Sequence, residues 1–211
     1  MFEKKDIILV LAPHPDDAEF GLGGTLSKFI KQGKEIHIAI FSMCEKSTPK
    51  GLHKGIIEEE LLISMKRMNI PKENLHKFDF EVRKFPEFRQ DILEEIIVLR
   101  NKIKPDLIFL PNSFDIHQDH STIHIEGIRA FKHSSILGYE MPWNNFSVKT
   151  DIFVSLTEDD FENKIQFLES YQSQKSRSYC QFDFVKSLAI LRGTQIQKPL
   201  AESFELIRFI D

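Results

Sequence analysis

Cysteine is scarce in this 211-residue chain: there are two, Cys44 and Cys180, far apart and in no C-x-x-C pair. That excludes a disulfide framework and a cysteine-rich zinc module, and it fits reduced, buried thiols in a cytoplasmic protein. Long apolar runs are also missing. The run at residues 7–12 is much too short for a signal core or a membrane span, and no other stretch approaches that length. There is no basic excess, since 28 Lys and Arg face 32 Asp and Glu for a net charge of −4. A nucleic-acid partner is therefore not expected, because binding a phosphate backbone needs a cationic stripe. The chain shows no internal repeat, low-complexity tract or linker, and its length suits one domain over residues 1–211 with a sizeable core. Homo-oligomerisation is left open.

What is present is an alternation. The run at 7–12 is continuous and rich in β-branched residues, as in a strand buried on both faces. An apolar stripe at Leu22, Leu26, Phe29 and Ile30 then predicts a helix that Gly33 stops. Strands are predicted at 36–41, 75–80, 107–110, 136–139 and 152–156, and helices at 56–68, 88–103, 122–132, 159–171 and 182–191. Residues 204–210 read as a closing edge strand. Such alternation implies an α/β fold of the Rossmann-like kind: a single domain with an open, mainly parallel sheet and helices on both faces. Ligands bind beyond the carboxyl ends of such strands, so the segments after Ala12, Phe41 and Leu110 are the places to search.

Two constellations occupy those places. Pro13-His14-Pro15-Asp16-Asp17 leaves the first strand, with an imidazole and two carboxylates in four residues and prolines restricting the backbone. A catalytic zinc site takes three nitrogen or oxygen ligands plus water. His14 and one aspartate can supply two of them, the other aspartate facing the water; the alternative is that an aspartate merely caps the following helix. The glycines at 21, 23 and 24 fail the dinucleotide fingerprint, since Leu26 stands where its third glycine belongs, and close helix packing is their better use. The second constellation, His117-Gln118-Asp119-His120, follows the strand at 107–110 at the start of a helix. His120 can supply the third ligand, His117 is then free for acid chemistry, and Asp119 can fix its tautomer or raise its pKa. His124, one helical turn beyond His120, is a rival ligand.

His-Pro-Asp-Asp after the first strand, His-x-Asp-His after a later one, the Gly-Gly-Thr-Leu stretch at 23–26, Arg192-Gly193 and Ala201-Glu202-Ser203-Phe204 together resemble the PIG-L/LmbE-like deacetylase family. The resemblance implies a zinc-dependent enzyme that removes N-acetyl groups from amino-sugar derivatives. It implies that His14, Asp17 and His120 bind the metal, with Zn2+ favoured and Fe2+, Co2+ or Mn2+ as alternatives. It makes Asp16 the general base and His117 the acid or oxyanion-stabilising group, with Asp119 tuning His117. Cys44-Glu45 stands where relatives often have Gly-Glu, and Lys54 partly substitutes for an arginine often found near position 56. The substrate expected is a small N-acylated amino sugar. Tyr139, Trp143, Asn144 and Asn145 are candidates to face its ring, and Lys175 or Arg177 to hold an anionic group on it, against packed core and a solvated helix end respectively. The rival readings are a metal-dependent hydrolase of another acyl amide or ester, and a metal- or ligand-binding protein without turnover.

Overall fold

The fold grows from two apolar strands that have no solvent-facing side. In the computed structural model, which describes residues 2–211, β1 (Ile7–Ala12) and β4 (Leu107–Pro111) are almost wholly buried. The remaining strands are β2 (Glu35–Ile40), β3 (Leu75–Lys77), β5 (Ser135–Tyr139), β6 (Ile152–Leu156) and β7 (Leu200–Arg208). They form one seven-stranded sheet in the order β3-β2-β1-β4-β5-β7-β6. The first five are mutually parallel, while β7 runs antiparallel to both β5 and β6. Parallel pairs need crossovers, and six helices supply them or pack beside them: α1 (Asp17–Lys31), α2 (Ile56–Arg67), α3 (Arg89–Ile103), α4 (Gln118–Ala130), α5 (Glu158–Leu168) and α6 (Phe182–Gln195).

Alternation along each strand builds a core on both faces. Ile8, Val10, Ile38, Phe109 and Leu137 meet α1, α2, α5 and α6 on one side. Leu9, Leu11, Phe41, Ile108 and Ile136 meet α3 and α4 on the other. The expected α/β architecture with helices on both faces is what the chain builds. Three local expectations need correction. The predicted strand at 75–80 stops at Lys77: Phe78 and Phe80 leave the ladder to stack on Phe41, although their N–H groups still reach the carbonyls of Ile40 and Phe41. The helix predicted from 122 begins at Gln118, because His117 caps it by accepting the Asp119 N–H. The strand predicted at 204–210 is not an edge. It begins at Leu200 and both its sides are paired, since β6 adds outside it.

The segment behind the first motif is packed without slack. Leu22 breaks the helical path of α1 (φ −152°), and the buried carboxylate of Glu202 accepts the N–H groups freed just past the break, from Gly24 at 3.0 Å and Thr25 at 2.7 Å. Lys164 Nζ, 2.6 Å away, neutralises it. Gly21 lies against the ring of Tyr139, whose hydroxyl donates to the Leu11 carbonyl at 3.0 Å. A Cβ on residue 21 would stand 2.5 Å from Tyr139 Cδ2. Alanine is favoured over glycine in a helix by about 1 kcal/mol, yet overpacking a locked ring costs about 1–3 kcal/mol. Gly21→Ala is therefore expected to lower the urea midpoint with an unchanged m-value; a raised midpoint would show that Tyr139 yields freely.

Candidate active site

Strand order reverses between β1 and β4. The helix after β1 leads to one side of the sheet, the segment after β4 to the other, and a crevice opens between. Both motifs leave the carboxyl ends of these adjacent parallel strands, so residues more than a hundred positions apart meet. His14 Nδ1 lies 3.3 Å from His120 Nε2 and 3.4 Å from Asp17 Oδ2, and His120 Nε2 lies 3.4 Å from the same oxygen. Ligand atoms about 2.0–2.1 Å from a tetrahedral zinc stand about 3.3–3.4 Å apart, so the triangle has the right size.

The outer partners of the two histidines decide what the inner atoms are. His14 Nε2 lies 2.9 Å from Asp119 Oδ2, and His120 Nδ1 lies 2.7 Å from Asp115 Oδ2. With a ring proton on each outer nitrogen, directed to its carboxylate, the inner nitrogens keep lone pairs for a metal. Two lone pairs and a carboxylate oxygen then converge on one point, an arrangement that a divalent cation satisfies. The residues present fit a metal. A second group within ligand reach, His14, His117 and Asp119, fits less well. Its Asp119 oxygens already accept from His14 and from the N–H groups of Arg83 (2.6 Å) and Phe85 (3.3 Å).

Asp16 and His117 stand beside the triangle and line the same cavity, of about 660 Å³. Asp16 sits in the left-handed region (φ 81°) and its side chain makes no capping bond to α1, so helix capping is not its use. Asp17 takes the local backbone bond instead, accepting the His14 N–H at 2.8 Å. Burial, then the charges of Asp17 and Glu19, hold the Asp16 carboxyl well above the usual carboxylate range. His117 accepts the Asp119 N–H on Nδ1 at 3.2 Å, so its proton is on Nε2. Burial and the neighbouring His120 and His14 push its pKa down to about 4, and it is a neutral donor at physiological pH.

Several sequence expectations change here. Asp119 was assigned to His117, but its carboxylate turns to His14 and holds that ring; only its backbone N–H reaches His117. His124 is no rival ligand: it belongs to neither group of convergent ligand atoms, and its Nδ1 donates to the Pro111 carbonyl at 2.7 Å. Tyr139 is fully buried beneath α1. Asn145 exchanges amide bonds with Asn112 and, like Tyr139 and Lys175, does not line the cavity. Trp143, Asn144 and Arg177 do line it. Trp143 is half-buried and stacked on Tyr179, with centroids 4.1 Å apart. Cys44 lines it too, with φ 55°, a conformation that explains why glycine suits that position. Lys54 is exposed and lies outside it. The sequence reading missed Asp115 and Arg83. Asp115 had a faint signal, a carboxylate at a strand exit five residues before His120; Arg83 had none.

Comparison with known proteins identifies a family and a fold. Residues 9–131 match the family model described as PIG-L, GlcNAc-PI de-N-acetylase. The chain is 30% identical over 179 residues to the uncharacterized deacetylase YaiS of Escherichia coli, covering 81% of this chain and 92% of that protein. It is 24% identical over 228 residues to the diacetylchitobiose deacetylase of Thermococcus kodakarensis, covering 96% and 82%. Among solved structures, the N,N'-diacetylchitobiose deacetylase of Pyrococcus horikoshii shares the fold with a TM-score of 0.81 at 20% identity, covering 98% of this chain and 85% of that one.

The two outward carboxylates generate a prediction. Asp115→Asn and Asp119→Asn are each expected to weaken metal binding about 10–100-fold, read by competition with a chromogenic chelator. His124→Ala should leave that affinity within about twofold, since its ring meets only a carbonyl. Equal losses in all three variants would mean that the carboxylates act on the fold rather than on the ligands.

Proposed function

The chain belongs to the PIG-L family of GlcNAc-PI de-N-acetylases, and on that premise we propose that it is a zinc-dependent hydrolase that removes the N-acetyl group from a small amino-sugar conjugate. One observation carries the reading: the triangle of His14 Nδ1, Asp17 Oδ2 and His120 Nε2, with Asp16 and His117 beside it on a single cavity. His14, Asp17 and His120 hold the metal. Two imidazoles and a carboxylate suit Zn2+, with Fe2+, Co2+ or Mn2+ accommodated by the same donors.

When bound there, the metal lowers the pKa of a water molecule and polarises the amide carbonyl. Asp16 takes the proton of the attacking water. Its raised basicity suits that task, because proton transfer works best when the group's pKa lies near the working pH. The carbonyl oxygen gains negative charge as the new C–O bond forms, and the Nε2–H of neutral His117 donates to it. The C–N bond then breaks. His117 is committed to the oxygen and its protonated form is scarcely populated at pH 7, so Asp16 returns the proton to the leaving nitrogen. One water is consumed; one carboxylate and one primary amine are released. Trp143 and Asn144 supply an aromatic edge and an amide for the sugar ring. No helix among the described residues is long and apolar enough to cross a membrane.

A rival non-catalytic binding protein has no use for Asp16 in a strained backbone with no local hydrogen-bond role, and strain kept at such a position points to chemistry. Asp16→Asn is expected to cut turnover on the order of 10²–10⁴-fold with metal content nearly intact, whereas Asp17→Asn should lose the metal. Purified protein incubated with N-acetylated amino sugars should release primary amine; a chelator should abolish the release and zinc restore it. Bound metal with no amine from any acetylated sugar would move the assignment to another acyl amide.

A further inference from the structure

A pair of histidines lies outside the cavity and takes no part in the chemistry proposed above. His37 interrupts the apolar run of β2 and is only 8% exposed. His76 lies on β3 and is half-buried. The two strands are parallel neighbours, with Ala39 opposite His76. Rings 39 positions apart in sequence therefore stack, with centroids 5.3 Å apart and planes inclined by 22°. His37 Nδ1 stands 3.1 Å from His76 Nε2. The active-site motifs leave the carboxyl ends of β1 and β4, whereas this pair sits on the flank of the sheet where β3 is the edge strand.

A buried imidazole needs a partner for each nitrogen. On its other side, His37 Nε2 meets Oε1 of exposed Glu35 at 2.8 Å. With the ring proton on that outer nitrogen, Nδ1 keeps a lone pair aimed at His76. His14 and His120 are arranged in the same way at the strand ends, where an outward carboxylate fixes the tautomer and turns the free nitrogen inward. His76 is neutral at physiological pH, since burial, then the neighbouring His37 and Lys102, push its pKa down to about 4. Its Nε2–H fills the gap between the rings. A neutral imidazole can carry that proton on Nδ1 instead, and two lone pairs then face each other across 3.1 Å.

The distance and the donors select the ligand. Donors about 2.0–2.1 Å from a cation stand about 2.8–3.0 Å apart at right angles and about 3.3–3.4 Å apart in a tetrahedron. The observed separation lies between the two, so a shift of about 0.3 Å reaches either. Imidazole donors suit zinc, copper and nickel, and not magnesium or calcium, which seek oxygen. We propose that His37 and His76 form a second binding site for a divalent transition-metal ion, with Glu35 as the positioning carboxylate and water completing the coordination. Two protein ligands make it weaker than the three-ligand site. Lys102, in the last turn of α3, opposes the ion, and Glu35 offsets that charge. A bound ion ties β3, three residues long and at the sheet edge, to β2. Occupancy therefore bears on stability and not on turnover.

Protein first given one equivalent of zinc is titrated calorimetrically with further Zn2+, and bound ions are counted by equilibrium dialysis. The wild type is expected to take one more ion per chain than His76→Gln, a change at a half-buried position. Glu35→Gln should weaken that ion about 10–100-fold, and Mg2+ should not compete for it. The added Zn2+ should raise the melting temperature of the wild type and leave that of His76→Gln unchanged. Equal ion counts in the two proteins would overturn the site, whether both take the extra ion or neither does. A second ion that Mg2+ displaces would overturn it too, because oxygen donors would then be holding it. Amine release from N-acetylated sugars should be the same in both proteins, so the second site and the deacetylase reading stand or fall separately.

Discussion

The parallel pairing of β1 with β4 is the constraint on which the site depends. Ile8, Leu9 and Val10 lie in register with Leu107, Ile108 and Phe109, all fully buried, so neither strand can slip without turning apolar side chains the wrong way. That register places two strand ends side by side. One leads into Pro13-His14-Pro15-Asp16-Asp17 and the other, through Asp115, into the cap of α4. A triangle with edges of 3.3–3.4 Å tolerates little error, and the fully buried sheet supplies the rigidity.

Around that rigid base the backbone is strained where chemistry is expected. Six non-glycine residues among those described adopt positive φ, and three of them, Asp16, Cys44 and Arg83, line the cavity. Each costs of order 1–3 kcal/mol, and such a cost persists only where the surroundings over-determine the conformation. The surroundings are visible in each case. Asp16 lies between the first strand and α1, whose inner end Glu202 and Lys164 brace. Arg83 is pinned by Asp119, and the Cys44 N–H donates to Ser42 Oγ at 3.2 Å. Asp119 matters twice, since it orients the His14 ring and secures the loop that presents a cavity arginine.

The charges of the cavity divide by depth. Carboxylates and imidazoles gather at the strand ends, and the guanidiniums of Arg83 and Arg177 stand on the walls. A neutral His117 beside this cluster follows from burial and from the charge near it, and it is neutrality that makes the ring a donor rather than a competing cation. The outward carboxylates Asp119 and Asp115 leave the inner nitrogens of His14 and His120 facing Asp17.

Much was legible in the chain itself. Strand and helix alternation, the parallel sheet, and the two motifs at strand ends follow from periodicity and from residues that are neighbours in sequence; hydrophobic burial and local backbone restriction act over just those ranges. His14, Asp17 and His120 could be nominated because their residue types and strand-exit positions are local facts. What the tertiary structure alone decided are relations between distant side chains. Asp119 turned to His14 and not to His117, Asp115 became the partner of His120, and β7 acquired β6 on its outer side. Arg83 and Arg177 came to face one cavity from loops about ninety positions apart. No pattern of spacing encodes these, because a side chain's direction is set by the packing of whole elements and by which hydrogen-bond partner lies nearest once the sheet has closed.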